Sequence, residues 1–166
     1  DGSQWGVNIR YVHEDKPLGT AGAIGLLPDD LPPLPIIMMN GDLLTKINFL
    51  DLLRFHNEHN SVATMCVRDY DFQVPYGVIE SDGVEIKDIV EKPIHNFFVN
   101  AGIYVLSPQL ARQVDGYNYL DMPSLIKEKI KYGEIVNMFP IHEYWLDIGH
   151  MEEFDQAKRD ADDFFS

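Results

Sequence analysis

Cysteine is nearly absent from this chain. Cys66, in the run "VATMCV", is the only one, so no disulfide can form within the chain. It reads as a buried strand thiol, and a reducing cytoplasm is the simplest compartment. No run of about 18 apolar residues exists, which excludes a membrane-spanning helix, and no signal-peptide pattern is visible. Basic residues are scarce: 13 Lys and Arg against 27 Asp and Glu, a net charge of −14. Such a chain repels phosphate backbones, so nucleic acid is excluded as a partner. Small anions are not excluded, because a bound divalent cation reverses the local field. The six histidines include only one close pair, His56 and His59, which gives no zinc set. No serine or cysteine stands beside a histidine in a nucleophile motif.

What is present fits one compact domain. The 166 residues are 45% hydrophobic, enough for a sizeable core and too apolar for disorder. The chain begins at Asp1, so its natural N-terminus is expected upstream. "WGVNIRYV" alternates and predicts a strand over Gly6 to Val12. "TAGAIGLL" predicts a short helix closed by Pro28. "PIIMMN" and "SVATMCV" read as strands buried on both faces. Between them "NFLDLLRFHNEH" is an amphipathic helix with Asn48 as N-cap. "YGVIES" and "VEIKDIVEK" form a hairpin through Asp82-Gly83, a type I′ signal. "FFVNAGIYVLS" is a long strand. "SPQLARQV" is a helix with Ser107 as N-cap and Pro108 at N1. "MPSLIKEKIKYG" is a helix stopped by Gly133. "EIVNMFPI" and "YWLDIG" are strands, and the tail from Met151 is a helix. Alternating β and α elements with an inserted hairpin predict an α/β fold: a Rossmann-like three-layer sandwich with a mixed, mostly parallel central sheet.

Several residues carry candidate chemistry. Gly19, Gly22 and Gly25 are evenly spaced at a helix start. Gly19 and Thr20 stand where unpaired N–H groups could meet a ligand's acceptors; for Gly22 and Gly25, close packing of the helix on the sheet is the competing use. The stretch is neither a G-x-x-x-x-G-K-[ST] phosphate loop nor a G-x-G-x-x-G fingerprint. Asp42 follows an apolar strand across Asn40-Gly41, where open α/β sheets bind ligands and a carboxylate suits a hard cation; a turn or cap is the alternative. Asp147 sits inside the apolar strand "YWLDIG", where an unpaired charge is costly. Facing each other, the two would hold magnesium. "VEKP" puts Glu91 and Lys92 on opposite faces of a strand end, so a bend at Pro93 must re-aim one if both serve one ligand. Asn100 lies in a β-rich run and needs a partner if buried; a ligand hydroxyl would serve.

Taken in order, "PLGTAGAI", "IIMMNGD", "YGVIE", "IVEKP", "FFVNAGIYVL" and "YWLDIG" resemble the sugar-phosphate nucleotidylyltransferases, especially the mannose-1-phosphate guanylyltransferase-like and glucose-1-phosphate thymidylyltransferase-like branches. The resemblance runs from about Val7 to Ala157. It implies condensation of a nucleoside triphosphate with a sugar 1-phosphate, giving a nucleotide sugar and pyrophosphate. By the matching motifs it implies Leu18, Gly19 and Thr20 against the base, Gly41 at the substrate, and Asp42 and Asp147 on Mg2+. It further implies Gly77 and Glu91 on sugar hydroxyls with Asn100 beside them, and Lys92 on the sugar phosphate. Asp42, Lys92 and Asp147 would then be the catalytic set. The family's loop G-x-G-[ST]-R-[LM]-x-P-x-[ST] and its later K-P lysine are missing from these 166 residues, and "DIG" is followed by His150-Met151. Residues 1–166 thus read as the C-terminal two-thirds of a catalytic domain, which alone should not turn over at a useful rate. A non-catalytic sugar-nucleotide-binding or regulatory homologue is the alternative. The missing loop favours it; the intact Asp42, Lys92 and Asp147 disfavour it. An incomplete sheet with an exposed apolar face or edge would favour a homo-oligomer.

Overall fold

The computed structural model describes residues 1–165, with no account of the side chains beyond residue 161. The chain divides into two compact units. The first comprises Asp1–Gly41, Asn48–Met65 and Ile103–Asn137; the second comprises Asp42–Ile47, Cys66–Gly102 and the chain from Met138 onward. The fold is α/β with a mixed sheet. Four strands are hydrogen-bonded in the order β1 (Ile36–Met39), β6 (Ile94–Leu106), β3 (Ala63–Gln73) and β7 (Val136–Pro140). β1 runs antiparallel to β6. The bonds Val62 N–H to Ile135 and Ile141 N–H to Val67 advance in step along both chains, so β3 and β7 are parallel.

In the first unit, helices α1 (Gly19–Gly22), α2 (Phe49–Glu58), α3 (Pro108–Ala111) and α4 (Met122–Lys131) join the strand segments that unit contains. Their local signals worked as physics requires. Asn48 Oδ1 accepts the N–H groups of Leu50 and Asp51, Ser107 Oγ that of Leu110, and Asp121 Oδ1 that of Ser124. The core gathers Ile24, Tyr104, Leu106, Leu110, Met122 and Leu125, all buried.

Three expectations are corrected here. Residues 6–12 form no strand. Val7 and Ile9 donate to the carbonyls of Gly2 and Asp1, folding the segment back on itself, and Tyr11 is 84% exposed. An alternating pattern needs a neighbouring ladder, and none pairs with it among the described residues. β1 is only half-buried rather than buried on both faces, and it stands at the edge of the four-stranded sheet. The hairpin between β4 (Gly77–Asp82) and β5 (Glu85–Glu91) turns at Gly83-Val84, one residue later than expected. Only Gly83 has positive φ there, 58°, which is the demand of a type II′ turn rather than I′.

A polar cluster lies under α2. His56 Nδ1 and Thr64 Oγ1 share a hydrogen bond at 2.9 Å, and Ser61 Oγ is 3.1 Å from Thr64 Oγ1. All three residues are buried. Burial holds the His56 imidazole below its ordinary 6.5. The native state therefore resists a proton that the unfolded chain accepts. This contribution to stability is complete above pH 6.5 and falls as pH drops below it, by up to about 1.4 kcal/mol per pH unit. Urea unfolding of wild type and His56→Gln at pH 7.5 and 5.5 checks this. Wild type should lose more stability across that interval than the variant; equal losses contradict it.

The second unit holds the hairpin and a short antiparallel ladder of β2 (Leu43–Thr45) with β8 (Trp145–Asp147), followed by α5 (Met151–Phe165); Ser166, at the end of the expected tail helix, lies outside the described residues. Tyr144 Oη donates to Asp160 on α5 at 2.5 Å, and Trp145 Nε1 donates to the Ala101 carbonyl at 2.9 Å. Burial first, and then the Asp160 bond and charge, push the Tyr144 hydroxyl up to about 12. These ties fix β8 from both sides. Burial, with the Glu143 charge, pushes the Cys66 thiol up to about 12, so it stays an inert thiol, as the strand reading expected.

Candidate functional site

Asp42 and Asp147 come from distant parts of the sequence and meet on neighbouring strands. Leu43 pairs with Asp147, and the Ile148 N–H donates to the Asp42 carbonyl at 2.8 Å. Paired Cα atoms in such a ladder lie about 4.5–5.5 Å apart, so the backbones of the two aspartates are neighbours. In the ladder itself, adjacent residues point to opposite faces. Asp42, however, sits in the turn before β2, where that alternation does not bind it. Both aspartates are exposed. The expectation of a buried Asp147 is thus corrected: it closes the strand at its solvent end, where its charge costs little. No group of three or more His, Cys, Asp or Glu side chains gathers to hold a metal among the described residues. Two carboxylates at adjacent strand ends still fit magnesium, which keeps several waters and takes its remaining ligands from substrate phosphates.

The base of the hairpin holds the second group. Gly77 pairs with Glu91, and a Cβ on Gly77 would lie 3.0 Å from Glu91 Oε2. The carboxylate is therefore laid across the glycine. Lys92, the next residue, has φ 47°, the left-handed region. This turn breaks the strand alternation that would send Glu91 and Lys92 to opposite faces. The backbone bend that a shared ligand would need thus falls at Lys92 itself, one residue before the proline. Asn100, on β6, is exposed, and its Oδ1 accepts the Gly102 N–H at 3.0 Å.

The glycine stretch belongs to the first unit, and there the fold takes up much of it. Gly19 has φ 78°, and a Cβ there would be 2.6 Å from the Leu120 carbonyl oxygen. That same oxygen accepts the N–H groups of Ala21 and Gly22, so these helix-start donors are occupied. Leu18 is buried; its N–H donates to Glu14 Oε2 and its carbonyl accepts from Leu120. Thr20 Oγ1 accepts the Met122 N–H at 2.9 Å. Gly22 and Gly25 pack against residues 114–120, the connection into α4, rather than on the sheet. Gly41 differs: nothing lies within 4 Å of where its Cβ would be, which leaves its backbone open to a close approach. The sequence reading missed Gln73, whose amide reaches the Lys92 carbonyl at 3.4 Å; an isolated glutamine carries no pattern that could have marked it.

This is a Rossmann-like α/β chain with an aspartate beside each strand of its β2–β8 ladder. Residues 1–163 match the family model described as nucleotidyl transferase, and the chain belongs to that family. It is similar to the mannose-1-phosphate guanyltransferase of Pichia angusta, with 33% identity over 162 residues, spanning 91% of this chain and 43% of that protein. It is also similar to the mannose-1-phosphate guanylyltransferase catalytic subunit beta of Danio rerio, with 32% identity over 161 residues, spanning 90% and 43%. The chain thus spans less than half the length of these curated relatives. Among solved structures, HddC from Yersinia pseudotuberculosis is 25% identical with a TM-score of 0.60, covering 88% of this chain and 64% of that one. A Bacillus anthracis protein assigned as a glucose-1-phosphate thymidylyltransferase, solved with a sucrose, shares the fold: TM-score 0.71 at 20% identity, covering 98% and 69%. No helix among the described residues is long and apolar enough to cross a membrane.

Proposed function

We propose that this chain forms the sugar and metal side of a site that transfers a nucleotidyl group from a nucleoside triphosphate to a sugar 1-phosphate, releasing pyrophosphate. The observation that carries the reading is the hairpin base. A carboxylate laid over a glycine offers acceptors to sugar hydroxyls, and a lysine re-aimed by a left-handed turn follows it directly. The names of the guanylyltransferase relatives support the same substrate class.

In this reading Lys92 neutralises the sugar phosphate as a point charge, and Glu91 fixes the hexose so that a phosphate oxygen faces the α-phosphorus. Asp42 and Asp147 hold Mg2+, which when bound offsets the charge of the phosphates. Leu18, Gly19 and Thr20 border the base, with the exposed Thr20 and half-buried Gly19 as the accessible part. Gly41 lets the nucleotide approach backbone, and Asn100 lies on the sugar side. The G-x-G-[ST]-R loop is not among these residues, so these 166 residues by themselves bind substrates but turn over slowly.

The test is a pyrophosphate-release assay with Mg2+, a panel of nucleoside triphosphates and a panel of hexose 1-phosphates, run on the protein as its cell makes it. Release should require one hexose 1-phosphate. Lys92→Ala, which removes a charge-assisted contact, should lower kcat/KM by about tenfold to a hundredfold. Release that ignores the sugar 1-phosphate, or a Lys92→Ala enzyme with unchanged kcat/KM, contradicts the reading.

A further inference from the structure

Lys92 sits in a conformation that its own sequence opposes. Its φ of 47° is unfavourable for any residue with a Cβ. The following Pro93 biases it further, toward extended backbone. Such strain persists only where neighbouring bonds over-determine it. Three bonds do so here, from the end of β3 and the segment that joins it to β4. The Lys92 N–H donates to the Tyr76 carbonyl at 3.3 Å. The Val74 N–H donates to the Pro93 carbonyl at 3.0 Å. The Gln73 Nε2 amide donates to the Lys92 carbonyl at 3.4 Å. The first two are backbone to backbone. Only the third depends on the identity of a side chain.

We propose that Gln73 is a positioning residue: its amide holds the Lys92 carbonyl, stabilises the left-handed turn, and so keeps the lysine where it meets the sugar phosphate. The inference rests on the sugar-phosphate role of Lys92 proposed above. Gln73 is exposed at the end of β3, so the core does not depend on it. Losing its amide should loosen the turn and leave the rest of the chain intact.

The experiment uses the 166-residue chain with Gln73→Met, a near-isostere without the donor, with Lys92→Ala, and with both changes. Two readouts apply. Backbone chemical shifts report the φ of residue 92 without any ligand. Titration with mannose 1-phosphate in Mg2+, followed by NMR, gives the affinity. The expected result is that Gln73→Met moves the Lys92 shifts away from left-handed values and weakens mannose 1-phosphate binding about fivefold, the loss of one hydrogen bond. The thermal midpoint should not move. Free mannose should bind no worse than before. In the Lys92→Ala background, Gln73→Met should change nothing more, because its effect passes through the lysine.

Lys92 shifts unchanged by Gln73→Met overturn the proposal. So does a further loss of affinity in the double variant, which would mean that Gln73 touches the ligand itself. If Lys92→Ala alone leaves mannose 1-phosphate binding intact, the sugar-site reading fails, and the positioning role fails with it. If Lys92→Ala weakens binding and Gln73→Met does not, only the positioning role fails.

Discussion

Alanine at Gly25 is expected to destabilise the chain by about 3 kcal/mol, the upper range for overpacking. An ideal Cβ there would sit 2.1 Å from the Gly116 nitrogen, 2.6 Å from Gly116 Cα and 2.6 Å from the Val114 carbonyl oxygen. These are backbone atoms and cannot rotate away. Gly116 cannot yield by its own chemistry either, because it has φ 71° and its missing Cβ direction points at the Gly25 carbonyl. Relief therefore requires the turn Ala23–Leu26 to part from residues 114–116. Ile24 and Val114, both buried in the core, sit on the two sides of that contact. Parting them opens a gap that loses packing in proportion to its volume. Gly41→Ala is the matched control, since nothing lies within 4 Å of its Cβ position. Urea unfolding should show a large loss for Gly25→Ala and a change within about 0.5 kcal/mol for Gly41→Ala. Similar values for both would contradict the assignment of these glycines to close packing.

The second large effect concerns the metal. Asp42→Asn and Asp147→Asn should each weaken local binding of a divalent cation by about tenfold or more, the cost of one charged ligand. The discriminating feature is place rather than strength. A chain of net charge −14 attracts cations over much of its surface. Paramagnetic Mn2+ separates the cases, because it broadens amide signals only near where it resides. At low Mn2+, broadening should centre on Asp42, Leu43, Asp147 and Ile148, residues that the β2–β8 ladder joins. Either substitution should abolish that centre. Broadening spread over the acidic surface, or unchanged by both substitutions, contradicts a shared site.

What the sequence made legible divides by distance along the chain. Caps are decided by neighbours a few residues away. Asn48, Ser107 and Pro108 accordingly marked their helices correctly, and Gly133 marked the end of α4. Strands need a partner that local pattern does not supply. "WGVNIRYV" has the alternation of a strand without a ladder, and β1 has the composition of a central strand at an edge position. The motifs lie far apart in sequence and adjacent in the fold: Leu43, beside Asp42, pairs with Asp147, and Gly77 pairs with Glu91. Burial was read less well. Asp147 stands in an apolar run yet is exposed, because it closes β8 at its outer end. The glycines were legible as small residues needed at a close approach. Their partner, the 114–120 connection, was not, because a backbone-to-backbone contact leaves no mark on the second segment's side chains.

The most direct test of the central claim is titration of this chain with a hexose 1-phosphate in the presence of Mg2+, followed residue by residue by NMR. The account predicts saturable binding, with shifts centred on Gly77, Glu91 and Lys92, weakened about tenfold by Lys92→Ala through loss of one charge-assisted contact. Shifts that never saturate, or that saturate elsewhere and ignore Lys92→Ala, would contradict it.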